Sequence, residues 1–194
     1  AEIRAILLSV FSEPEALRAL PRDRVEAALA ITAGAGQLAA VEALLARGVV
    51  DLASWYYPLF GAASGGHREV VAALIAAGAN VDLAGNDGAT PLHAAAVGGH
   101  HEVMTALIAA DATVNLATNR GHTPLLMAAR NGHHEVATAL IAARANVDLA
   151  MHDGGTPLSW AAYNGHVEIV KTLIAAGANV DLAENDGATP LLAA

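Results

Sequence analysis

The apolar positions of this chain recur on two scales. Within short segments they fall at helical spacing: Val103, Leu107 and Ile108 in one stretch, Val136, Leu140 and Ile141 in the next. Residues three and four apart share one face of an α-helix, so each stretch predicts a helix with a single buried stripe. On the longer scale whole blocks repeat. Leu74-Ile75, Leu107-Ile108, Leu140-Ile141 and Leu173-Ile174 stand 33 residues apart. A period of that length marks one supersecondary unit that buries its apolar face by stacking on its neighbours.

The polar punctuation keeps the same register. Thr90-Pro91-Leu92 returns at Thr123-Pro124-Leu125, Thr156-Pro157-Leu158 and Thr189-Pro190-Leu191, and Tyr57-Pro58-Leu59 fits one period earlier. Thr before Pro starts a helix, with Thr as N-cap and Pro at the first position, where its missing N–H is not needed. An Ala-rich first helix follows. It ends at Gly66-His67, Gly99-His100, Gly132-His133 and Gly165-His166, because Gly permits the positive φ of a helix stop. Glu69, Glu102, Glu135 and Glu168 then open the second helix, which Gly78 and Gly177 close in two of the units. An extended run such as Asn80-Val81-Asp82-Leu83 leads into Asn86-Asp87-Gly88, a hairpin-like turn signal.

These triplets, the Thr-Pro-Leu-His at Thr90 to His93, the Gly-His turns and the Gly-Ala-Asn-Val-Asp runs at Gly78–Asp82 and Gly177–Asp181 together closely resemble the ankyrin repeat family. The resemblance is strong from about Ser54 to Ala194. It implies an all-α solenoid of stacked helix-turn-helix units joined by β-hairpin-like finger loops. One domain over 1–194 is expected. Residues 1–21 are read as N-terminal capping helices, since Ser12-Glu13-Pro14-Glu15 forms a capping box and end repeats need an atypical cover. Residues 22–53 are read as a degenerate repeat: Leu44-Leu45, Gly48 and Val50-Asp51-Leu52 match later units, but Thr-Pro-Leu is missing. Full repeats are placed at 54–86, 87–119, 120–152 and 153–185, with the start of a truncated one at 186–194. With no initiator Met and a stop inside a unit, the chain is expected to belong to a larger protein. Asp111 and Arg144 stand where other units have the helix-ending Gly. If both keep positive φ, each costs about 1 kcal/mol and Arg144→Gly should stabilise the fold.

Composition sharpens this picture. Hydrophobic residues make up 55% of the 194 and aromatics only 4%, so small side chains must fill the core and helices must pack closely. A net charge of -9 argues against nucleic acid and anionic membranes, both of which need surplus Lys and Arg. The absence of cysteine excludes disulfides and thiolate chemistry, and favours a cytoplasmic or other intracellular setting. Ala1 to Phe11 lacks the basic leader of a signal peptide. The longest stretch free of Asp, Glu, Lys and Arg, Leu52 to His67, is too short to span a bilayer, so no membrane insertion is expected.

Candidate chemistry weighs out towards turns. Ile31-Thr32-Ala33-Gly34-Ala35-Gly36-Gln37-Leu38-Ala39 superficially matches a dinucleotide-binding glycine motif, with Asp51 downstream. That chemistry needs a strand before the glycines, whereas Val25 to Ile31 reads as helix and Gly36 aligns with the inter-helix turns. Nine histidines invite a metal site. His67, His100, His133 and His166, however, occupy one position in successive units roughly 10 Å apart. Such a ladder cannot bring ligands within the roughly 2 Å that zinc requires. Local hydrogen bonding within the turns is the expected role. His101-Glu102-Val103-Met104-Thr105 misses the metalloprotease spacing, and Ser9, Ser12, Ser54, Ser64 and Ser159 have no nucleophile-elbow context. Acid pairs such as Asp82 and Asp87 are explained by turns. No cofactor, metal or catalytic residue is assigned, and the chain is read as a non-enzyme.

The family resemblance implies that finger turns and first helices line a concave, protein-binding face. On those positions stand Arg120, His122, Met127, Arg130, Asn131, Met151, His152, Trp160, Tyr163 and Asn164, the expected partner-binding set. Trp, Tyr, Arg and Met are favoured interface anchors. Trp160 and Met127 could instead pack between neighbouring first helices, and Trp55, Tyr56 and Tyr57 are expected mainly to pack against the degenerate unit. The expected function is a protein–protein interaction scaffold. The alternatives are a targeting or regulatory arm of a larger enzyme, channel or secreted effector, or self-association through an uncovered C-terminal repeat face.

Overall fold

The computed structural model describes residues 20–48, 55–185, 187, 189 and 190. The capping helices expected within 1–21, the Val50-Asp51-Leu52 match, and most of 186–194 lie outside the described residues. Among those described there are ten helices and no strand. They run as five pairs: α1 (Arg22–Gly34) with α2 (Leu38–Leu45), α3 (Tyr56–Ser64) with α4 (Arg68–Ala76), α5 (Pro91–Gly98) with α6 (His101–Ala109), α7 (Pro124–Asn131) with α8 (His134–Ala142), and α9 (Pro157–Tyr163) with α10 (Val167–Ala175). The first helices α1, α3, α5, α7 and α9 pack in one row and the second helices in another.

The core lies between these rows and repeats with them. Leu29, Leu59, Leu92, Leu125 and Leu158 from the first helices meet Leu44, Leu74, Leu107, Leu140 and Leu173 from the second, all at 2% exposure or less. Ala62, Ala95, Ala128 and Ala161 are at 0%; a methyl group at these positions lets adjacent first helices approach closely.

Local chemistry explains the boundaries. Thr123 Oγ1 accepts the Leu126 N–H at 3.1 Å. Thr156 and Ser159 cap each other: the Ser159 N–H donates to Thr156 Oγ1 at 3.1 Å and the Thr156 N–H to Ser159 Oγ at 2.9 Å. In the unit that lacks the threonine, the helix starts at Tyr56, two residues earlier than the Tyr57-Pro58 register predicts. Pro58 still falls in the first turn, where no N–H is required.

Hydrogen bonds between units complete the stack. The turn histidines do not bond locally, as expected from sequence, but reach back one unit. Nε2–H of His100 donates to the Ser64 carbonyl at 2.9 Å, His133 to Val97 at 2.9 Å and His166 to Arg130 at 3.1 Å. The acceptors are carbonyls at the C-terminal ends of first helices, which have no partner within their own helix. A second ladder runs along the loops. Asp82, Asn115 and Asp148 each accept a backbone N–H from the next unit, from Thr113, Asn146 and Asn179 at 2.8–2.9 Å.

Asp111 and Arg144 adopt φ of 63° and 64°, so the expected left-handed helix stop is present without glycine. Arg144 is exposed. Arg144→Gly should therefore raise unfolding stability by about 1 kcal/mol in denaturant melts. An unchanged midpoint would mean that this conformation costs the arginine nothing.

Candidate binding surface

Outside the core, each unit presents a finger loop and the outward face of its first helix. The fingers are built by backbone turns. The Gly85 N–H donates to the Ala89 carbonyl at 2.9 Å, and the Thr118 N–H to His122 at 2.9 Å. Fingers are also tied to each other: Asn119 donates its backbone N–H to the Asp87 carbonyl at 2.8 Å and its amide to the Asn86 carbonyl at 2.9 Å. Asn185 repeats this against Asp153 and His152 at 2.8 and 3.0 Å. Two pairs of neighbouring fingers are thus braced against each other rather than standing as independent loops.

The outward helix positions grow along the stack. One reads Gly61, Ala94, Met127, Trp160 and the other Ser64, Val97, Arg130, Tyr163. At the small end an open groove of about 310 Å³ runs between first helices and fingers, lined by Phe60, Ala94, Val97, Met127, Asp87, Thr118 and His122 among others. That volume, at the low end for ligand sites and open to solvent, suits one or two inserted side chains better than an enclosed cofactor.

At the large end the structure brings together four of the residues marked from sequence. The Arg130 guanidinium stacks 4.6 Å from the Trp160 ring centroid. Tyr163 meets the same indole edge-on at 6.0 Å. The indole N–H of Trp160 donates to Met151 Sδ at 3.2 Å. Tyr163 is 71% exposed, and Trp160 is half-buried. Three contacts hold the indole in one orientation, so little rotamer freedom remains to be lost on contact with a partner.

The remaining predicted residues fall around this cluster. Arg120 is exposed on its finger, and His122 is half-buried beside the groove. Burial holds the His122 pKa below its ordinary value, and Arg130 and Arg120 depress it further, against the opposing pull of Asp153. Met127 is half-buried, packs against the core and lines the groove. His152 is exposed. Asn131 and Asn164 are exposed, but their amides turn back to donate to Met127 and Trp160 carbonyls at 2.8 Å. They close their own helices.

Sequence reasoning missed the groove, including Phe60 and His93. His93 is buried. Its Nδ1 accepts the Thr90 N–H at 3.1 Å and its Nε2–H donates to the His122 carbonyl at 2.9 Å, joining one helix start to the next finger. Burial lowers its pKa, outweighing the stabilising His122 carbonyl and Asp87, so the ring is held neutral in this role. Tyr56 and Tyr57 are also placed differently from expectation. Tyr56 packs forward, against Phe60 at 4.6 Å between centroids and over Gly85 of the following finger. Burial and Asp87 push its phenol pKa up. Tyr57 is 68% exposed, and Trp55 packs on the core.

A family model for ankyrin repeats in three copies matches residues 27–118, 59–151 and 143–194. The chain belongs to the ankyrin repeat family, whose members are in general non-enzymatic modules for protein–protein interaction. Comparison with curated proteins found no match. Among the described residues no helix is long and apolar enough to cross a membrane.

Proposed function

We propose that this chain is a non-catalytic interaction scaffold that holds a partner protein on the concave face formed by its finger loops and first helices. The observation that carries the reading is the Arg130–Trp160–Tyr163 cluster. Large apolar and cationic side chains are displayed there in a fixed arrangement that the fold itself does not require. Two units before Trp160 and Tyr163 stand Ala94 and Val97, and Val97 is also the counterpart of Arg130 one unit earlier, yet α5 packs on the first helices either side of it. Buried interface energy concentrates in Trp, Tyr and Arg, and a restrained indole loses little entropy on binding.

The test is affinity capture with the wild-type chain as bait, followed by titration of the retained protein. Trp160→Ala together with Tyr163→Ala should weaken that complex at least about tenfold, near 1.4 kcal/mol, while the melting temperature falls by only a few degrees. A partner held equally well by the double variant would remove this face from the binding reaction.

A further inference from the structure

Resting on that reading, we propose that the face takes an extended segment of the partner carrying an acidic side chain between Arg120 and Arg130, and an apolar side chain in the neighbouring groove against Val97 and Met127.

The cations carry the first half. In this protein 19 carboxylates outnumber 10 Lys and Arg, yet neither Arg120 nor Arg130 forms an ion pair with a carboxylate among the described residues. The nearby acids each turn one carboxylate oxygen to their own finger and pair with neither arginine. Asp87 Oδ1 accepts the Ala89 N–H at 3.1 Å, and Asp153 Oδ1 accepts the Gly155 N–H at 3.0 Å. Arg130 Cζ lies over the Trp160 ring, and its guanidinium N–H groups donate to no described residue, so the fork is free for a bidentate carboxylate. Arg120 and His122 border one depression, and Arg130 stands one helical turn beyond Met127, which lines the adjoining groove, so the two cations flank one place; both act on His122, with Asp153 opposing them.

The groove carries the second half. It is walled by Phe60, Ala94, Val97 and Met127, and it shares Asp87, Thr118 and His122 with the adjoining depression that Arg120 borders. Neighbouring first helices stand roughly 8–10 Å apart, and an extended chain advances about 3.3 Å per residue. The acidic and apolar side chains of the partner are therefore about three residues apart. A second copy of this chain suits the face less well, because two bodies of charge -9 repel each other.

The probe is a displayed library of random dodecapeptides panned on the purified chain, with the most enriched peptide then synthesised and titrated by fluorescence anisotropy. Enriched sequences should share Asp or Glu about two to four residues from Leu, Ile, Met or Phe. Arg120→Gln with Arg130→Gln should weaken that peptide at least about tenfold with the circular-dichroism melt unchanged. Replacing the peptide's acid with its amide should do the same, and binding should fall as salt rises from about 50 to about 300 mM. Peptides without an acid that still lose binding in the Trp160/Tyr163 variant would overturn this inference and leave the binding face standing. Peptides indifferent to both sets of substitutions, or no enrichment at all, would overturn both. A wild-type dimer in sedimentation that dissociates in the arginine variant would assign the face to self-association instead.

Discussion

Gly99→Ala should cost about 2–4 kcal/mol of unfolding stability, whereas Gly165→Ala should cost only about 1 kcal/mol. Both glycines end a first helix at φ 71°, so both substitutions incur the same left-handed strain. The difference lies in what surrounds them. A Cβ on Gly99 would stand 2.5 Å from Nδ1 and 2.7 Å from Cε1 of the His133 ring, whereas at Gly165 no described atom lies within 4 Å. To make room the ring must swing out, and its 2.9 Å bond to the Val97 carbonyl goes with it. That removes an inter-unit hydrogen bond and opens a tightly packed seam. Paired urea melts of the two variants isolate the seam from the backbone strain. Equal losses at both sites would show that the histidine ladder contributes nothing to stacking.

The same pair of residues shows how far the sequence could be read. Recurrence at 33 residues identified every Gly-His turn and the positive φ of its glycine. It also placed Gly36 in the series although the first unit is shorter, and the structure gives Gly36 φ 70° and Gln37 backbone angles matching those of His67. Periodicity reports which positions are equivalent. It does not report the offset at which equivalent units lie against each other, so the histidine acceptors one unit back were not legible. For the same reason Arg130 and Trp160 were each marked as outward, but their stacking was not foreseen. The groove escaped for a different reason. A search for large side chains cannot see a site made by small ones, and the signal was Ala94 and Val97 at the positions that Met127 with Arg130, and then Trp160 with Tyr163, fill later. Tyr56 defeated the register because, without a threonine cap, the helix start moved two residues earlier.

The second large effect concerns the core. Leu107→Ala should cost about 2–5 kcal/mol, because the side chain is 0% exposed and its removal forfeits transfer energy and leaves a cavity. The magnitude follows from the architecture as well as from the residue. Leu107 lies on α6, which packs on α5 within its unit and on α4 and α8 in the units either side, so one cavity weakens an intrinsic fold and two interfaces at once. In a linear array stability is close to a sum of unit and nearest-neighbour contributions, and a lesion in the middle can therefore divide what one at an end would only shorten. Leu44→Ala, equally buried at 0% but in the first helix pair, makes the comparison. It should lower stability while keeping a single unfolding transition. Leu107→Ala should broaden the transition or split it in two, with hydrogen exchange accelerated first in α5 and α6. A sharp single transition for Leu107→Ala, with exchange accelerated uniformly along the chain, would mean that the units unfold as one body and that the nearest-neighbour description fails for this protein.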